Sequence, residues 1–334
     1  MYLFDKNISN KAVLVIALLA AFSAGMGFHA ILDRSNSKIN EIRQGGFQFI
    51  SPLLECEEAS TDDYRELRPF KKVVEKAVES HLAKKDARTI SVYFRDLRNG
   101  PWLGFKEKEP FTPASMMKVP LMMTILKQAE RDPSLLKKKL LYDGRDDLTQ
   151  YQYFKPKDAL VRGTWYTVDD LLFRMIAYSD NNATRLLSGK DGPANVTLLM
   201  AELGIPFEGD KRGEDYITVR NYTSFFRVLY NASYLNREMS EKALRLLSYS
   251  DFPGGIQAGL PPDVRLATKF GEYTSHTGGR DEYQLQELGI VYYPDHPYLL
   301  GIVVKGGGPP ELANVIADLS KTIYQEVDRQ QHLP

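Results

Sequence analysis

Residues 113–126 read PASMMKVPLMMTIL, and Ser115 and Lys118 are the strongly polar side chains in this stretch before Thr124. Apolar side chains on every side of a helix indicate that the helix is buried. We therefore predict a buried helix from Ser115 onward, with Pro120 tolerated because it falls within the first two turns. Residues three apart lie on one helix face, so the Lys118 ammonium is predicted to neighbour the Ser115 hydroxyl.

This pairing predicts a specific chemistry. A buried ammonium costs several kcal/mol unless it is paired or loses its proton. A lysine shifted toward neutrality beside a serine can act as the general base for a serine nucleophile. The Ser-x-x-Lys pattern also occurs at 35–38 and 134–137, but both of those lie in polar surroundings. The apolar setting therefore distinguishes the pattern at 115–118.

Composition excludes several classes of function. The chain has 334 residues, of which 43% are hydrophobic and 26% charged, as is typical of a globular protein. Basic and acidic residues number 43 each, so there is no basic field of the kind that nucleic-acid binding requires. The lone Cys56 excludes an internal disulfide, and five scattered histidines offer no metal framework. No nucleic acid, metal or cofactor is expected.

The N-terminal segment is predicted to meet a membrane. Residues 12–31 contain no Lys, Arg, Asp or Glu, and about 20 residues of helix can cross a hydrocarbon core of roughly 30 Å. We predict that 1–32 is an anchor that holds an extracytoplasmic protein on the cytoplasmic membrane. A cleaved signal peptide is the alternative, since 21–23 offers a cleavage site, and the protein would then be secreted.

A polar tether is predicted over 33–61, followed by one domain at 62–330 with an α/β (α+β) fold. Helical spacing at 64–84 precedes two strands, many helices, three strands and a closing helix from Pro309. The predicted strands are 89–97, 102–105, 265–273, 288–293 and 298–304. We expect these strands to form one antiparallel sheet flanked by the terminal helices, with an all-helical lobe at about 115–262 inserted between them.

Three motifs in this order resemble a known superfamily. They are Ser115-x-x-Lys118, Ser179-Asp-Asn181 at a turn between helices, and Lys269-Phe-Gly271 on a strand near the C-terminus. Together with the architecture, they resemble the class A β-lactamases and the related penicillin-binding D,D-peptidases. The resemblance covers roughly residues 62–328 and includes the stretch 163–172. It implies a β-lactamase/transpeptidase-like fold.

What the resemblance implies for chemistry is acyl transfer. Ser115 would attack the carbonyl of a β-lactam or a D-Ala-D-Ala-like peptidoglycan peptide and form an acyl-enzyme. Lys118 would take the serine proton, and Ser179 would relay a proton to the leaving nitrogen. Asn181 would hydrogen-bond the amide side chain of the substrate.

The strand motif would bind the rest of the substrate. The resemblance implies that Lys269 attracts the substrate carboxylate and keeps Lys118 less protonated. The backbone N–H groups of Ser115 and Glu272 would form the oxyanion hole. Gly271 would let the substrate pass close to the strand.

One departure from the family pattern affects carboxylate binding. The family has a Thr or Ser in the middle of Lys-x-Gly, where its hydroxyl helps to bind the substrate carboxylate, but this chain has Phe270. A rival triplet, His276-Thr-Gly278, keeps the hydroxyl and is expected in a Gly-rich connection. Thr277 or Ser275 could reach the site from there.

A second departure affects release of the acyl group. Class A β-lactamases use a Glu, followed four residues later by an Asn, to activate the hydrolytic water. No such pair occurs between Asn182 and Lys269. The available carboxylates are Glu208, Glu214 and Asp215, and Glu214 is the candidate base. A long-lived acyl-enzyme is therefore expected.

Two alternatives to a β-lactamase-type or D,D-peptidase-type hydrolase stay open at this point. The chain could be a non-hydrolysing penicillin-binding pseudoenzyme, a binding protein of the cell envelope. It could also be a glutaminase-like amidohydrolase, since that family has a similar fold and also uses Ser-x-x-Lys. The sequence leaves the oligomeric state open.

Overall fold

The computed structural model describes residues 48–50, 67–98, 100–189, 194–205, 214–277 and 280–332. The predicted anchor at 1–32 and most of the predicted tether at 33–61 lie outside these residues. Within the described ranges, no helix combines the length and the apolar character needed to cross a membrane.

A five-stranded antiparallel sheet forms the centre of the fold. Its spatial order is β2-β1-β9-β8-β7, so strands from both ends of the chain share one sheet, as predicted. The strands are β1 Ala87–Asp96, β2 Trp102–Phe105, β7 Arg265–Thr277, β8 Arg280–Tyr292 and β9 Tyr298–Gly306. Strand β7 lies at the edge of the sheet, so one side of its backbone is available to a neighbouring segment or a ligand.

Both faces of the sheet are buried. In β9, Leu299 and Val303 pack into one apolar cluster, whereas Leu300, Ile302 and Val304 pack into a second cluster. Successive strand residues point to opposite faces. A strand covered on both sides therefore needs the nearly continuous apolar run that this stretch contains.

The two terminal helices cover one face. They are α1, Arg68–Lys84, and α9, Pro309–Gln331. The buried residues of α9 include Leu312, Ile316 and Ile323, which recur at the spacing of one helix face. Helix α9 begins with two prolines, where the missing N–H groups have no intrahelical partner to lose.

The inserted lobe covers the other face. Its helices are α2 Lys118–Ala129, α3 Val168–Ala177, α4 Asn181–Ser188, α5 Ala194–Glu202, α6 Val219–Tyr230, α7 Arg237–Leu247 and α8 Gly255–Ala258. Two short strand pairs accompany them: β3 Pro110–Phe111 with β6 Ile217–Thr218, and β4 Lys139–Tyr142 with β5 Thr164–Thr167. The predicted fold, an antiparallel sheet with a helical insertion, is confirmed. The expectation that the lobe is all-helical was wrong in detail, because β4, β5 and β6 lie within it.

Helix α2 runs through the middle of the lobe. All residues from Lys118 to Leu126 are buried, as the apolar sequence predicts. The α-helix begins at Lys118, whereas Ser115 lies in a preceding 3₁₀ turn, Ala114–Met117. Because a 3₁₀ turn also brings residues three apart onto one side, the predicted neighbourhood of Ser115 and Lys118 is preserved.

The β7–β8 hairpin is longer than the sequence suggested. Strand β8 begins at Arg280, and β7 continues to Thr277. His276 and Thr277 therefore lie on a strand, and their expected placement in a loop connection was wrong. The extra strand is polar, but its buried amides at Gln284 and Gln286 donate to carbonyl groups of the lobe, so burying them leaves no unpaired group.

Three residues from the predicted tether contact the folded domain. The side chain of Glu241 in α7 accepts hydrogen bonds from the backbone N–H groups of Gln48, Phe49 and Ile50. The Phe49 carbonyl accepts a hydrogen bond from the Tyr292 hydroxyl at 3.0 Å. The Phe49 and Ile50 side chains are buried in the same cluster as α2, so this part of the segment belongs to the core.

We predict that Gly289→Ala destabilises the fold by about 1–3 kcal/mol or more, because added volume in a packed core forces backbone shifts. A Cβ atom at Gly289 would lie 2.2 Å from the Ala267 carbonyl oxygen of β7. Chemical denaturation of the purified domain measures the change. The control is Gly307→Ala, since a Cβ at Gly307 meets nothing within 4 Å. Equal stability of the two variants would contradict this account of the β7–β8 contact.

Candidate active site

The segment before Ser115 is held by strand β8. The Gln284 amide donates to the Thr112 carbonyl at 2.7 Å, and the Gln286 amide donates to the Pro113 carbonyl at 3.1 Å. Both glutamine side chains are buried. Buried amide bonds of this kind fix a backbone because breaking them would leave unpaired polar groups.

Strand β7 approaches the same turn. A Cβ atom at Gly271 would lie 3.1 Å from the Met116 side chain and 3.2 Å from the Pro113 carbonyl oxygen. On the other side, the Tyr222 hydroxyl of α6 donates to the Met116 carbonyl at 2.6 Å. The 3₁₀ turn that carries Ser115 is therefore clamped between the edge strand and the lobe.

Two backbone positions at the site adopt left-handed conformations. Ala114 has φ of 46° and Ser179 has φ of 54°. Such conformations cost non-glycine residues about 1–3 kcal/mol and concentrate at functional sites. Here Ala114 directly precedes the candidate nucleophile Ser115, and Ser179 is the candidate proton relay.

The Lys118 side chain lies at the centre of the site. Its Nζ atom is 2.9 Å from Ser115 Oγ, 3.0 Å from Ser179 Oγ, 2.6 Å from the Ser179 carbonyl oxygen and 2.8 Å from Asn181 Oδ1. The lysine is only 3% exposed. The structure thus brings four predicted site residues into one hydrogen-bonded cluster.

The numbers of hydrogen-bond donors and acceptors in this cluster indicate which protonation state it favours. The Ser179 carbonyl and Asn181 Oδ1 can only accept hydrogen bonds, whereas the two serine hydroxyls can donate as well. A neutral Lys118 amine has two N–H groups for the two obligate acceptors and a lone pair for a hydroxyl proton. The cluster is therefore satisfied when Lys118 is neutral and Ser115 donates to it.

Burial favours that neutral form. Removal from water lowers the pKa of Lys118 to about 7, while the negative charges of Asp180 and Glu272 act in the opposite direction. A pKa near the working pH is the useful value for a general base. Lys118 can therefore exchange a proton with Ser115 at neutral pH.

The motif Ser179-Asp-Asn181 is built on a helix start. Asp180 caps α4, accepting from the backbone N–H groups of Asn182 and Ala183 at 2.7 and 3.1 Å. Burial raises the pKa of Asp180. This cap turns Ser179 and Asn181 toward Lys118, so the aspartate has a structural role.

A segment at 151–154 closes one side of the cavity. The Gln152 amide donates to the Ser179 carbonyl at 3.0 Å and accepts from the Asn181 N–H at 3.2 Å. The Glu272 carboxylate accepts from the backbone N–H groups of Tyr153 and Phe154 at 3.0 and 3.3 Å. These bonds connect the helical lobe to the edge strand across the site.

The cavity itself has a volume of about 360 Å³. Its lining includes the residues Ser115, Lys118, Asn181 and Glu272. The segment 151–154 contributes Tyr151 and Gln152. The space suits part of a small peptide or a bicyclic ligand next to the serine.

Lys269 lies close to the strand backbone. It is fully buried, its Nζ donates to the Phe270 carbonyl at 2.9 Å, and it lies 4.1 Å from the centroid of the Phe270 ring. Burial and the nearby Lys118 lower the pKa of Lys269 well below its usual value. The Phe270 ring stacks on Phe252 with centroids 4.5 Å apart.

The other predicted residues, Glu214 and Thr277, are not among the described residues that line the cavity. Glu214 is exposed. Its neighbour Asp215 accepts from the Thr112 hydroxyl at 2.7 Å. Thr277 lies toward the tip of the β7–β8 hairpin, about 20 Å along the strand from Gly271 at about 3.3 Å per residue.

Sequence reasoning missed several residues that hold the site. Gln152 lies in an irregular polar stretch that gives no positional signal. Gln284 and Gln286 had a usable signal, since they flank Leu285 on a buried strand. Glu272 was predicted for its backbone only, yet its carboxylate also accepts hydrogen bonds from the backbone of Tyr153 and Phe154. Among the described residues, no group of three or more His, Cys, Asp or Glu is placed to hold a metal ion.

Comparison with known proteins relates this geometry to a family. The sequence model of the beta-lactamase enzyme family matches residues 72–327. Beta-lactamase SME-1 of Serratia marcescens is 26% identical over 117 residues, which are 34% of this chain and 38% of that protein. Beta-lactamase L2 of Stenotrophomonas maltophilia is 34% identical over 116 residues, which are 34% of this chain and 37% of that protein. Each alignment thus spans less than half of the relative.

Solved structures share the fold over a longer range. The TLA-3 extended-spectrum beta-lactamase superposes with a TM-score of 0.67 at 18% identity, covering 77% of this chain and 99% of that one. PBP-A superposes with a TM-score of 0.63 at 18% identity, covering 77% and 96% of the two chains. A mutant of PBP-A, solved as an acyl-enzyme complex with penicillin G, gives a TM-score of 0.61 at 19% identity over 77% and 97%. Since the family model covers most of the folded domain, the chain belongs to the beta-lactamase enzyme family, with the fold shared by class A β-lactamases and PBP-A.

Proposed function

We propose that the chain is a serine acyl-transfer hydrolase that forms an acyl-enzyme at Ser115 with β-lactams or with D-Ala-D-Ala-like peptidoglycan peptides. The observation that carries the proposal is the buried Lys118 amine within hydrogen-bonding distance of Ser115, Ser179 and Asn181. Membership of the family and the penicillin G acyl-enzyme of PBP-A support the choice of substrate class.

Acylation follows from the proton positions. Neutral Lys118 accepts the Ser115 proton over 2.9 Å as Ser115 Oγ attacks the carbonyl carbon. The Lys118 ammonium then lies 3.0 Å from Ser179 Oγ, which passes a proton to the leaving nitrogen. Each step uses contacts already formed, so little reorganisation is needed.

Substrate positioning uses the edge strand and α4. Backbone N–H groups of Ser115 and Glu272 are proposed to bind the developing oxyanion, a contribution worth about 10²–10³ in rate per donor. Asn181 is proposed to bind the substrate amide. Gly271 lies close to the Ser115 turn, and the absence of a side chain there keeps the strand edge accessible.

Release of the acyl group is proposed to be slow. Glu272 is the one acidic residue among the described residues that line the cavity. Its carboxylate oxygens accept hydrogen bonds from the backbone N–H groups of Tyr153 and Phe154. Glu214, the candidate base from sequence, is exposed. A protein that acylates but releases slowly would behave as a penicillin-binding protein, which keeps that alternative as the second candidate function.

We further propose that the domain acts outside the cytoplasm and is held on the membrane by residues 12–31. The support is the uncharged 20-residue stretch in the sequence. Its removal as a signal peptide would give the secreted form.

Ser115-dependent acylation is the first expected outcome. Incubating the soluble domain with penicillin G should add the mass of one penicillin to the intact protein, and Ser115→Ala should abolish the adduct. Ser134→Ala is the matched control, because Ser134 belongs to an exposed Ser-x-x-Lys. Failure of the unmodified domain to form any adduct would sink the proposed function.

The acylation rate should rise with pH. Protonated Lys118 cannot accept the Ser115 proton, so below its pKa of about 7 the rate should fall about tenfold per pH unit, and above it the rate should level off. Lys118→Arg, which stays protonated, should lose at least about 10²-fold. Rapid-mixing measurement of acylation across the neutral range tests this. A rate that falls with rising pH would contradict the assignment of Lys118 as base.

Turnover should show a burst. Because the cavity offers no carboxylate free of backbone bonds among its described residues, we expect rapid consumption of one equivalent of substrate as the acyl-enzyme forms, followed by slow appearance of hydrolysed product. Glu214→Gln should leave the slow rate within about twofold, since an exposed carboxylate is not held against the acyl group. Rapid steady-state hydrolysis by the unmodified protein would overturn slow deacylation. Loss of that hydrolysis in Glu214→Gln would restore Glu214 as the base.

A further inference from the structure

Ser179, the proposed proton relay, adopts a backbone conformation that its surroundings must maintain. Its φ of 54° lies in the left-handed region, which is strained for residues other than glycine. Ser179 is buried, and its Oγ lies 3.0 Å from Lys118 Nζ. A hydroxyl that passes a proton between two groups works only when its position is fixed. Contacts from the rest of the chain therefore decide where this hydroxyl lies.

The Gln152 carboxamide supplies two of these contacts. Its Nε2 donates to the Ser179 carbonyl at 3.0 Å, and its Oε1 accepts from the Asn181 N–H at 3.2 Å. These two backbone groups belong to the peptide units on either side of Asp180. One carboxamide thus holds both ends of the turn that carries the relay.

The hydrogen bonds of Gln152 fix the orientation of its amide. The Nε2 atom also donates to the Phe154 carbonyl at 3.3 Å. Exchange of the amide oxygen and nitrogen would place an acceptor against two carbonyl oxygens and a donor against the Asn181 N–H. Gln152 is 7% exposed, so breaking these bonds would leave buried polar groups unpaired. Gln152 is therefore a fixed donor to the Ser179 carbonyl.

The segment that carries Gln152 is itself held at both ends. Before it, the Asn182 side chain accepts from the Leu148 N–H at 2.8 Å. After it, the Glu272 carboxylate accepts from the Tyr153 N–H at 3.0 Å. The carboxamide therefore extends toward the turn from a backbone that is fixed on both sides, which is what precise positioning of a neighbouring group requires.

The Ser179 carbonyl oxygen has a second donor, which is the proposed base. Lys118 Nζ lies 2.6 Å from this oxygen, so its two acceptor sites are taken by Lys118 and Gln152. Lys118 changes its protonation state as Ser115 is acylated, whereas the Gln152 amide does not titrate. Gln152 is therefore the donor that stays constant while the proton moves.

We propose that Gln152 is a positioning residue for the second proton transfer of acylation, because it holds Ser179 where the hydroxyl can protonate the leaving nitrogen. The inference rests on the proposed acylation of Ser115 and deepens it. Since Gln152 acts through Ser179, its loss should slow those reactions whose leaving group needs that proton. Reactions whose leaving group departs as an anion should be nearly unaffected.

Two acyl donors separate this role from a general structural one. With penicillin G, Ser115 Oγ bonds to the acyl carbon, the carbon–nitrogen bond breaks, and the Ser115 proton reaches the nitrogen through Lys118 and Ser179. With an N-acyl-D-alanyl thioester of mercaptoacetate, the carbon–sulfur bond breaks and the thiolate leaves as an anion. The proton then stays on Lys118 until solvent takes it. A thiolate is a far weaker base than an amine nitrogen anion, so it leaves without a proton.

The main test is Gln152→Met, which replaces the carboxamide with an apolar side chain of similar size. It should slow acylation by penicillin G at least about tenfold and acylation by the thioester less than about threefold. Rapid mixing gives both rate constants, from loss of β-lactam absorbance and from thiol release, and Ser115→Ala confirms the acylated residue by intact mass. Ser179→Ala should show the same selective loss, and the double variant should be no slower than Ser179→Ala alone.

A second variant and a control identify the cause of the loss. Gln152→Glu keeps an acceptor for the Asn181 N–H, but its carboxylate cannot donate to the Ser179 carbonyl, so it should show the same selective loss as Gln152→Met. The control is Gln150→Met, since Gln150 is exposed two residues earlier and should leave both rate constants within about twofold. A change in the Lys118 pKa affects both acyl donors and cancels in the ratio of the two rate constants.

The positioning role and the proposed function fail in different ways. Equal losses with both acyl donors, or no loss, in Gln152→Met would overturn the positioning role while Ser115-dependent acylation stands. An unaltered ratio in Gln152→Glu, or a further loss in the double variant, would overturn it as well. Absence of a Ser115-dependent adduct from both donors in the unmodified protein would overturn the proposed function. Gln152→Glu decides the matter if Gln152→Met does not fold.

Discussion

The lysine amine at the centre of the site is the constraint on which the surrounding structure depends. Lys118 lies in a helix whose residues from Lys118 to Leu126 are all buried, so its Nζ must find partners or lose its proton. Four oxygen atoms from Ser115, Ser179 and Asn181 meet this need. Each comes from a backbone position that other elements hold in place, while burial lowers the pKa of Lys118 to about 7.

The elements that hold those oxygens come from distant parts of the chain. Asp180 caps α4 and aims Ser179 and Asn181, while Gln286 on β8 fixes the Pro113 carbonyl before Ser115. Glu272 on β7 binds the backbone of the segment that carries Gln152. The antiparallel sheet thus helps to fix the distances between the nucleophile, the base and the proton relay, because a shift of a strand would break these buried hydrogen bonds.

The two departures from the family pattern concern the strand motif and the loop that precedes it. Phe270 stands where the family has a hydroxyl side chain, and its ring packs with Phe252 and Phe154. Its backbone carbonyl accepts a hydrogen bond from Lys269 Nζ. Among the described residues that line the cavity, the acidic one is Glu272 on the edge strand. At the two departures, an aromatic cluster therefore stands in place of a hydroxyl, and no glutamate between Asn182 and Lys269 is followed four residues later by an asparagine.

The sequence by itself determined the features that are encoded locally. The apolar run around Lys118, the capping pattern at Thr167 and the alternation in the strands predicted the buried helix, the helix start and the sheet, because periodicity and capping act over a few residues. The order of three motifs predicted which side chains meet. Tertiary structure alone decided that the Glu272 carboxylate binds the Tyr153 backbone, that Gln152 bonds Ser179 and Asn181, and that the Phe270 ring lies against Lys269. These contacts join residues far apart in the chain, and the closure of one sheet around an inserted lobe sets their distances, which no local pattern records.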